Sequence, residues 1–384
     1  MAQAFTSAPP LSARTGRSEH AGAILTIDLA AIRANYRLLK GLLGKVACAA
    51  VVKADAYGLG AARVAPQLAL EGCAHFFVAH LDEALALRPH LPQDAALYVL
   101  HGPPAGTDAE FVASGIVPVL NSLSQLAAWT ALARARGRAL PALLQIDTGM
   151  SRLGLSEEEQ KAVSEEPALR EGLELRYVMS HLACAELVDD PLNARQLARF
   201  CAARAALPRA PATLANSSGI FLGPEYHFDL ARAGAALYGI APIVGRPNPL
   251  AQAVRLDARV IQLRTIAAGT SVGYDATWTA PAPRRIATVA TGYADGFPRS
   301  LSNRASAWLG ELALPLVGRV SMDTLTLDVS ALEEGALVPG DLVELIGPHQ
   351  SPDALAEVAG TNGYEILTSL GARYFRRYLD GAAP

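Results

Sequence analysis

The sequence predicts an α/β fold, a (β/α)8 TIM-type barrel followed by a mainly β C-terminal domain, and three observations carry that prediction. Eight short apolar runs recur between about residue 46 and residue 234, separated by helix-like segments. Each run ends on a polar or charged residue. After Gly239 the rhythm changes to strands punctuated by Pro and Gly.

In order, the eight runs are VACAAVVK, HFFVAH, ALYVLHG, IVPVLNS, ALLQIDTG, LRYVMSH, ATLANS and FDLARAG. Amphipathic stretches such as SLSQLAAWTALARARG and NARQLARFCAARAAL follow most of them, as crossover helices between parallel strands require. The charge-free stretch from Phe111 to Ala133 is long enough to span a bilayer, but Gly115, Pro118, Asn121 and Ser122 interrupt it. It reads as a strand and then a helix. Beyond IAPIVGRPNPL come ARVIQLRTI, RIATVATGY, LALPLVGRV, DTLTLDVS and GDLVELIG, the strands of a second domain. The expected organisation is a disordered tail over 1–20, a barrel over 21–245 and a mainly β domain over 246–384, with AILTID able to pair with either domain.

Composition restricts the partners. At 384 residues and 51% hydrophobic, with only 18% charged, the chain can bury two substantial cores. A net charge of −3 without basic clusters gives no footprint for nucleic acid or an anionic membrane. Residues 1–20 lack the apolar run of a secretory signal, so a cytoplasmic location is expected. Cys48, Cys73, Cys184 and Cys201 have neither CxxC spacing nor a disulfide framework, and they read as reduced, mostly packed thiols with no metal site. A small molecule is the expected partner.

The polar residues that end the runs are Lys53, His80, His101, Asn121, Asp147, His181, Asn216 and Arg232. In a barrel the strand carboxyl ends converge on one face, where active sites of this architecture lie. Lys53 leaves a buried strand there, and desolvation would lower its pKa and make it nucleophilic. By position alone it also fits a lysine that snorkels to solvent.

The surrounding motif decides between these. VVKADAYGLG, residues 51–60, resembles the cofactor-lysine signature of the alanine racemase family of fold-type III pyridoxal phosphate enzymes. The resemblance implies that Lys53 binds pyridoxal 5'-phosphate as a Schiff base and that Tyr57 reaches its phosphate. Further motifs follow in the family's order. DTGMSRLG places Arg152 near the cofactor's phenolic oxygen and the substrate carboxylate. SHLACAE places His181, LANSSG places Asn216 and Ser217, and RAGAALYG places Arg232, Gly234 and Ala235. The residues themselves agree, since SSG and AGA supply amide donors where a barrel commonly holds phosphate.

The resemblance implies that Arg232 faces the pyridine nitrogen. An arginine stays protonated, because its pKa exceeds about 12, so the ring nitrogen does not gain its proton. The cofactor is then a weaker electron sink, which favours racemisation over transamination. A carboxylate there would do the reverse.

Racemisation needs proton carriers on both faces of Cα. TSVGYDATW, residues 270–278, resembles the family's catalytic tyrosine motif and implies that Tyr274 serves the L face while Lys53 serves the D face. A free tyrosine has a pKa near about 10 and needs help, implied to come from His181 through a Tyr274, His181, Arg232 chain. Tyr274 lies in the β domain, so the resemblance implies a head-to-tail homodimer with shared sites. GYADGFPR and GRVSMDTL likewise imply Tyr293, Met322 and Asp323 at the mouth or on the substrate carboxylate, and NGYEILT implies Tyr364 on the phosphate.

One position departs from the family. Many members carry a lysine, often carbamylated, where this chain has Gln145, so Arg152 needs a small anion or plain hydrogen bonding for support. The implied activity is interconversion of L-alanine and D-alanine, for cell-wall peptidoglycan or for alanine catabolism. Racemisation of serine or other small amino acids, a fold-type III decarboxylase and a non-catalytic cofactor carrier are the alternatives.

Overall fold

The structure is a computed structural model, described over residues 18–380. Residues 1–17, which hold most of the expected tail, lie outside the described residues, and Ser18–His20 form a 3-10 turn. The chain divides into two compact units, one spanning Ala31–Ala251 and the other combining the segments on either side of it.

Strand β1 (Ala23–Asp28) belongs to the second unit, although it precedes the barrel. Its residues are buried almost throughout, because it lies between β10 (Val254–Ile266), to which it is antiparallel, and β18 (Phe375–Leu379), to which it is parallel. The apolar run AILTID is equally suited to a barrel strand. Only the partner strands, more than two hundred residues away in sequence, assign it.

The barrel strands are β2 (Ala47–Val51), β3 (His75–Val78), β4 (Ala96–Val99), β5 (Val117–Leu120), β6 (Leu140–Gln145), β7 (Leu173–Met179), β8 (Ala212–Thr213) and β9 (Leu230–Ala233). Six fall within the expected runs, and β6 and β7 overlap theirs but begin two residues earlier. They pair in parallel in the order 8-7-6-5-4-3-2-9. The seam between β8 and β9 is closed by Asp229 N donating to Ala212 O at 3.0 Å and by Arg232 N donating to Ala215 O at 2.9 Å. Ala49, Val51, Phe77, Tyr98, Val119, Leu143, Met179 and Leu230 pack into one buried cluster drawn from seven of the strands. Such side-chain layers make the barrel a packed core instead of a pore. Truncating Phe77, which is fully buried, to Ala would cost about 3–5 kcal/mol. The Phe111–Ala133 stretch resolves into a helix end, β5 and the helix Leu123–Arg136, whose start is capped by Ser122 Oγ accepting from Gln125 N. Among the described residues no helix is long and apolar enough to cross a membrane.

In the second unit, β10 pairs with β17 (Leu342–Ile346) over its first half and with β13 (Arg284–Val289) over its second, with register shifts at Leu256/Asp257 against β17 and at Val260/Gln262 against β13. The second bulge lets one strand serve two sheets. A two-stranded hairpin, β11 (Ser271–Val272) and β12 (Trp278–Thr279), projects beyond it. Val272, Ile286 and Val317, with Ile266 and Trp278 against them, anchor its base. The remaining strands are β14 (Ser306–Leu309), β15 (Leu312–Pro315) and β16 (Leu325–Asp328). Two helices, Pro352–Ala359 and Gly363–Ser369, also interrupt what the sequence reads as strands. Their starts carry ordinary signals, Ser351 with Pro352 next to it and then Asn362, each side chain accepting from a backbone N–H three residues on.

Cys48 and Cys73 are buried free thiols, whereas Cys184 is half-buried and Cys201 is exposed, so the packed-thiol expectation holds for the first two.

Candidate active site

Lys53 stands two residues beyond β2, at the strand carboxyl end. Burial and the nearby Arg152 guanidinium lower its pKa, while Glu83 opposes them. A lowered pKa keeps more of the amine in its nucleophilic form. After Lys53 the chain makes a left-handed turn in which Ala54, Asp55, Ala56 and Tyr57 have φ of 51°, 54°, 55° and 56°. This conformation costs L-residues roughly 1–2 kcal/mol each, so it persists only where other contacts hold it. Glu83 Oε1 accepts from Ala54 N at 2.5 Å, Asp55 Oδ1 accepts from Ala61 N at 2.7 Å and Asp55 O accepts from Gly60 N at 2.8 Å. The turn carries Tyr57 to the end of β9, where a Cβ on Gly234 would lie 2.6 Å from Tyr57 Oη. A side chain at residue 234 would collide with that hydroxyl.

Arg232 is 3% exposed, and its guanidinium is tightly held. Nη1 donates to Thr213 Oγ1 at 2.7 Å, and Nη2 donates to Ser180 O at 2.7 Å. Nη2 also meets His181 Nδ1 at 3.2 Å. Burial pulls the Arg232 pKa down, but these acceptors keep the group cationic. Because arginine can only donate, His181 Nδ1 must accept, and the imidazole proton sits on Nε2. Burial, then Arg232, Arg152 and Lys53, hold the His181 pKa well below its ordinary value. A neutral imidazole with its Nε2–H left to donate stabilises an anionic oxygen placed there. Gln196, fully buried on the helix Pro191–Ala206, fixes this segment by donating to His181 O at 2.9 Å and accepting from Ala183 N at 2.8 Å.

Ser217 Oγ accepts from Gly234 N at 2.9 Å and Ala236 N at 3.2 Å, which leaves its own O–H to donate. Asn216 Oδ1 accepts from Gly219 N at 2.9 Å and ties down the same loop. The result is a hydroxyl and clustered amides at the ends of β8 and β9, suited to a phosphate. Gln145, 5% exposed, donates from Nε2 to Leu153 O at 3.2 Å. It therefore supports the backbone next to Arg152, and the Arg152 side chain itself is exposed.

Other strand-end residues are structural. Asn121 donates to Leu100 O and Val119 O, and Asp147 Oδ1 accepts from the amides of Gly149, Met150 and Ser151. His80 and His101 form an edge-to-face ring pair at 4.5 Å beside the Lys53 turn.

The second unit's candidates are of a different kind. Tyr274, at the hairpin tip, is 67% exposed, and Tyr293, Met322 and Tyr364 are 43%, 53% and 37% exposed. Gly273 (φ 77°) and the Arg319–Asp275 ion pair at 2.9 Å set the backbone around Tyr274. Tyr293 N donates to Ser321 O and Ala294 N to Met322 O, both at 3.0 Å, tying the GYADGFPR and GRVSMDTL segments together. Arg373 braces it, with Nη1 at 2.7 Å from Asp323 Oδ1 and Nε at 2.6 Å from the buried Asp295. Sequence reasoning missed Glu83, Gln196 and Arg373. Glu83 follows His80 at the spacing of a helix capping box, which was a readable signal, whereas Gln196 and Arg373 act only through folding.

An eight-stranded barrel with cationic groups gathered at its strand carboxyl ends, followed by a β unit, is the architecture of fold-type III pyridoxal phosphate enzymes. Comparisons with known proteins narrow the class. The family models for the alanine racemase N-terminal and C-terminal domains match residues 27–242 and 253–378. A catabolic alanine racemase of Mesorhizobium japonicum is 54% identical over 361 residues, with 94% of each chain covered. An alanine racemase of Brucella abortus is 53% identical over 372 residues, again with 94% of each chain covered. The crystal structure of alanine racemase from Bartonella henselae, with covalently bound pyridoxal phosphate, superposes with a TM-score of 0.91 at 44% identity, covering 94% of this chain and 100% of that one. The chain belongs to the alanine racemase family, which are pyridoxal phosphate-dependent isomerases.

Proposed function

We propose that this chain interconverts L-alanine and D-alanine with pyridoxal phosphate held on Lys53. The observation that carries this reading is the Arg232–His181 contact, made by a cation whose other partners are the Thr213 hydroxyl and the Ser180 and Leu214 carbonyls. Among the described residues Arg232 Nε has no partner, so one donor of a buried guanidinium remains for a ring nitrogen. The Ser217 hydroxyl and the Ala235 amide suit the phosphate, on a loop that Asn216 and the Gly234 amide hold in place, with Tyr57 and Tyr364 as hydroxyl donors to it. When bound, the cofactor supplies the electron sink that makes the substrate Cα–H acidic.

The chain's own groups then handle the proton. Lys53, whose ammonium form burial and Arg152 disfavour, takes or returns it on the D face. Tyr274 does the same on the L face, with the His181 Nε2–H, which Arg232 in turn orients, left to donate to its oxygen. Arg152 pairs with the substrate carboxylate, and Met322 and Asp323 border it, with Tyr293 at the mouth. The exposure of Tyr274 supports a site completed by another protomer, in a head-to-tail homodimer where the partner subunit's Tyr274 faces Lys53. Such an enzyme would work in the cytoplasm.

Incubating the purified protein with single L-amino acids and following optical rotation tests the reading. Rotation should be lost fastest with alanine. Release of carbon dioxide, or equal rates with serine, would overturn the alanine assignment.

A further inference from the structure

We propose that Glu83 is a positioning residue for the cofactor lysine: its carboxylate clamps the left-handed turn that leaves Lys53 to the end of the neighbouring strand β3. Glu83 lies on the helix Leu81–Leu87, thirty residues after Lys53. Its Oε1 accepts from Ala54 N at 2.5 Å, and its Oε2 accepts from Ala79 N at 2.8 Å and His80 N at 3.0 Å. One carboxylate therefore joins the residue after the lysine to the two residues after β3, while Asp55 secures only the far end of the turn.

Charge adds to this geometry. The groups acting on Lys53 are Arg152, which disfavours its protonated form, and Glu83, which favours it. His101, His80 and His181 complete the surroundings, with His101 and His181 each feeling the lysine's charge. Glu83 is thus the one anion acting on Lys53 among the described residues. Three N–H donors on two oxygens require a carboxylate, since an amide would turn a donor against at least one of them.

The role rests on Lys53 being the cofactor lysine, and the two ideas can fail separately. In the unsubstituted holoenzyme, hydrogen–deuterium exchange should find the amides of Ala54, Ala79 and His80 protected, although Ala54 is exposed. Glu83→Gln removes the charge and keeps the size, whereas Glu83→Asp keeps the charge and withdraws it from Ala54. Both should speed exchange at Ala54 roughly 10- to 100-fold, as loss of a charged hydrogen bond implies. Only Glu83→Gln should move the acid limb of the kcat pH profile to lower pH, because bound substrate frees the Lys53 amine from the cofactor and only this variant removes the charge that favours its protonated form. Unchanged Ala54 exchange in the variants, or fast exchange of all three amides in the parent protein, overturns the proposal. If a variant fails to fold, the parent's exchange decides. Borohydride trapping with peptide mapping tests the cofactor lysine by itself, and label on another lysine overturns that reading alone.

Discussion

The two units build their functional residues in opposite ways. In the barrel, Arg232, Ser217 and Gln145 are each less than a tenth exposed and fixed through their side chains. In the β unit, Tyr274, Tyr293 and Met322 are largely open to solvent and fixed through their backbones. A buried guanidinium network resists displacement because each broken contact leaves an unsatisfied group. An exposed tyrosine on a braced hairpin is instead a presented surface. The barrel holds preorganised chemistry, and the β unit offers groups to something that must cover them.

The sharpest way to break this comparison is to disable one side of the proposed shared site in each chain. Lys53→Ala and Tyr274→Ala proteins should each lose roughly 10²- to 10⁴-fold in kcat, the usual contribution of a positioned acid or base. Mixed and allowed to exchange subunits, they should regain activity, since one of the two sites in a hybrid dimer keeps both groups. Proven exchange without any recovery would show that both groups come from one chain. Next in size is Arg232→Lys. A single ammonium cannot serve Thr213, Ser180 and His181 together, so kcat should fall roughly 100-fold and melting should show a loss of about 1–3 kcal/mol.

Changes in the β unit should act on binding more than on chemistry. Arg373→Ala frees Asp323 from its partner, and KM should rise up to about tenfold with a smaller change in kcat, because the Arg373–Asp323 pair is partly screened by solvent. Tyr364→Phe removes one hydroxyl and should weaken cofactor retention roughly 2- to 10-fold, measured by dialysis, as about 0.5–1.5 kcal/mol for a neutral hydrogen bond implies. The smallest effect belongs to Gln145. With no amine to carbamylate, turnover should be unaffected by added bicarbonate, and a dependence would mean that Arg152 is supported by something other than Gln145 and its hydrogen bonds.

Much of the molecule was legible before folding. The barrel strands were visible as apolar runs because a parallel strand covered on both faces is apolar along most of its length, although exposed Glu174 and Arg176 interrupt β7. Lys53, His181 and Arg232 were visible because each ends such a run. Strand β1 was ambiguous for the same reason, since an apolar hexamer does not state which sheet will bury it. The helices Pro352–Ala359 and Gly363–Ser369 were hidden by their shortness, although Ser351 and Asn362 were standing at their starts.

What the sequence by itself determined is the fold class, the family and the residues with reactive side chains, all of which depend on local pattern and residue type. What only the tertiary structure decided is how those residues are held. His181 carries its proton on Nε2 because Arg232 comes to lie beside Nδ1. The left-handed turn after Lys53 survives because Glu83, remote in sequence, reaches Ala54. Gln196 and Arg373 acquire their roles only once two loops meet them. Hydrogen bonds and charge interactions act over a few ångströms, and separation along the chain does not reveal which groups folding will bring that close.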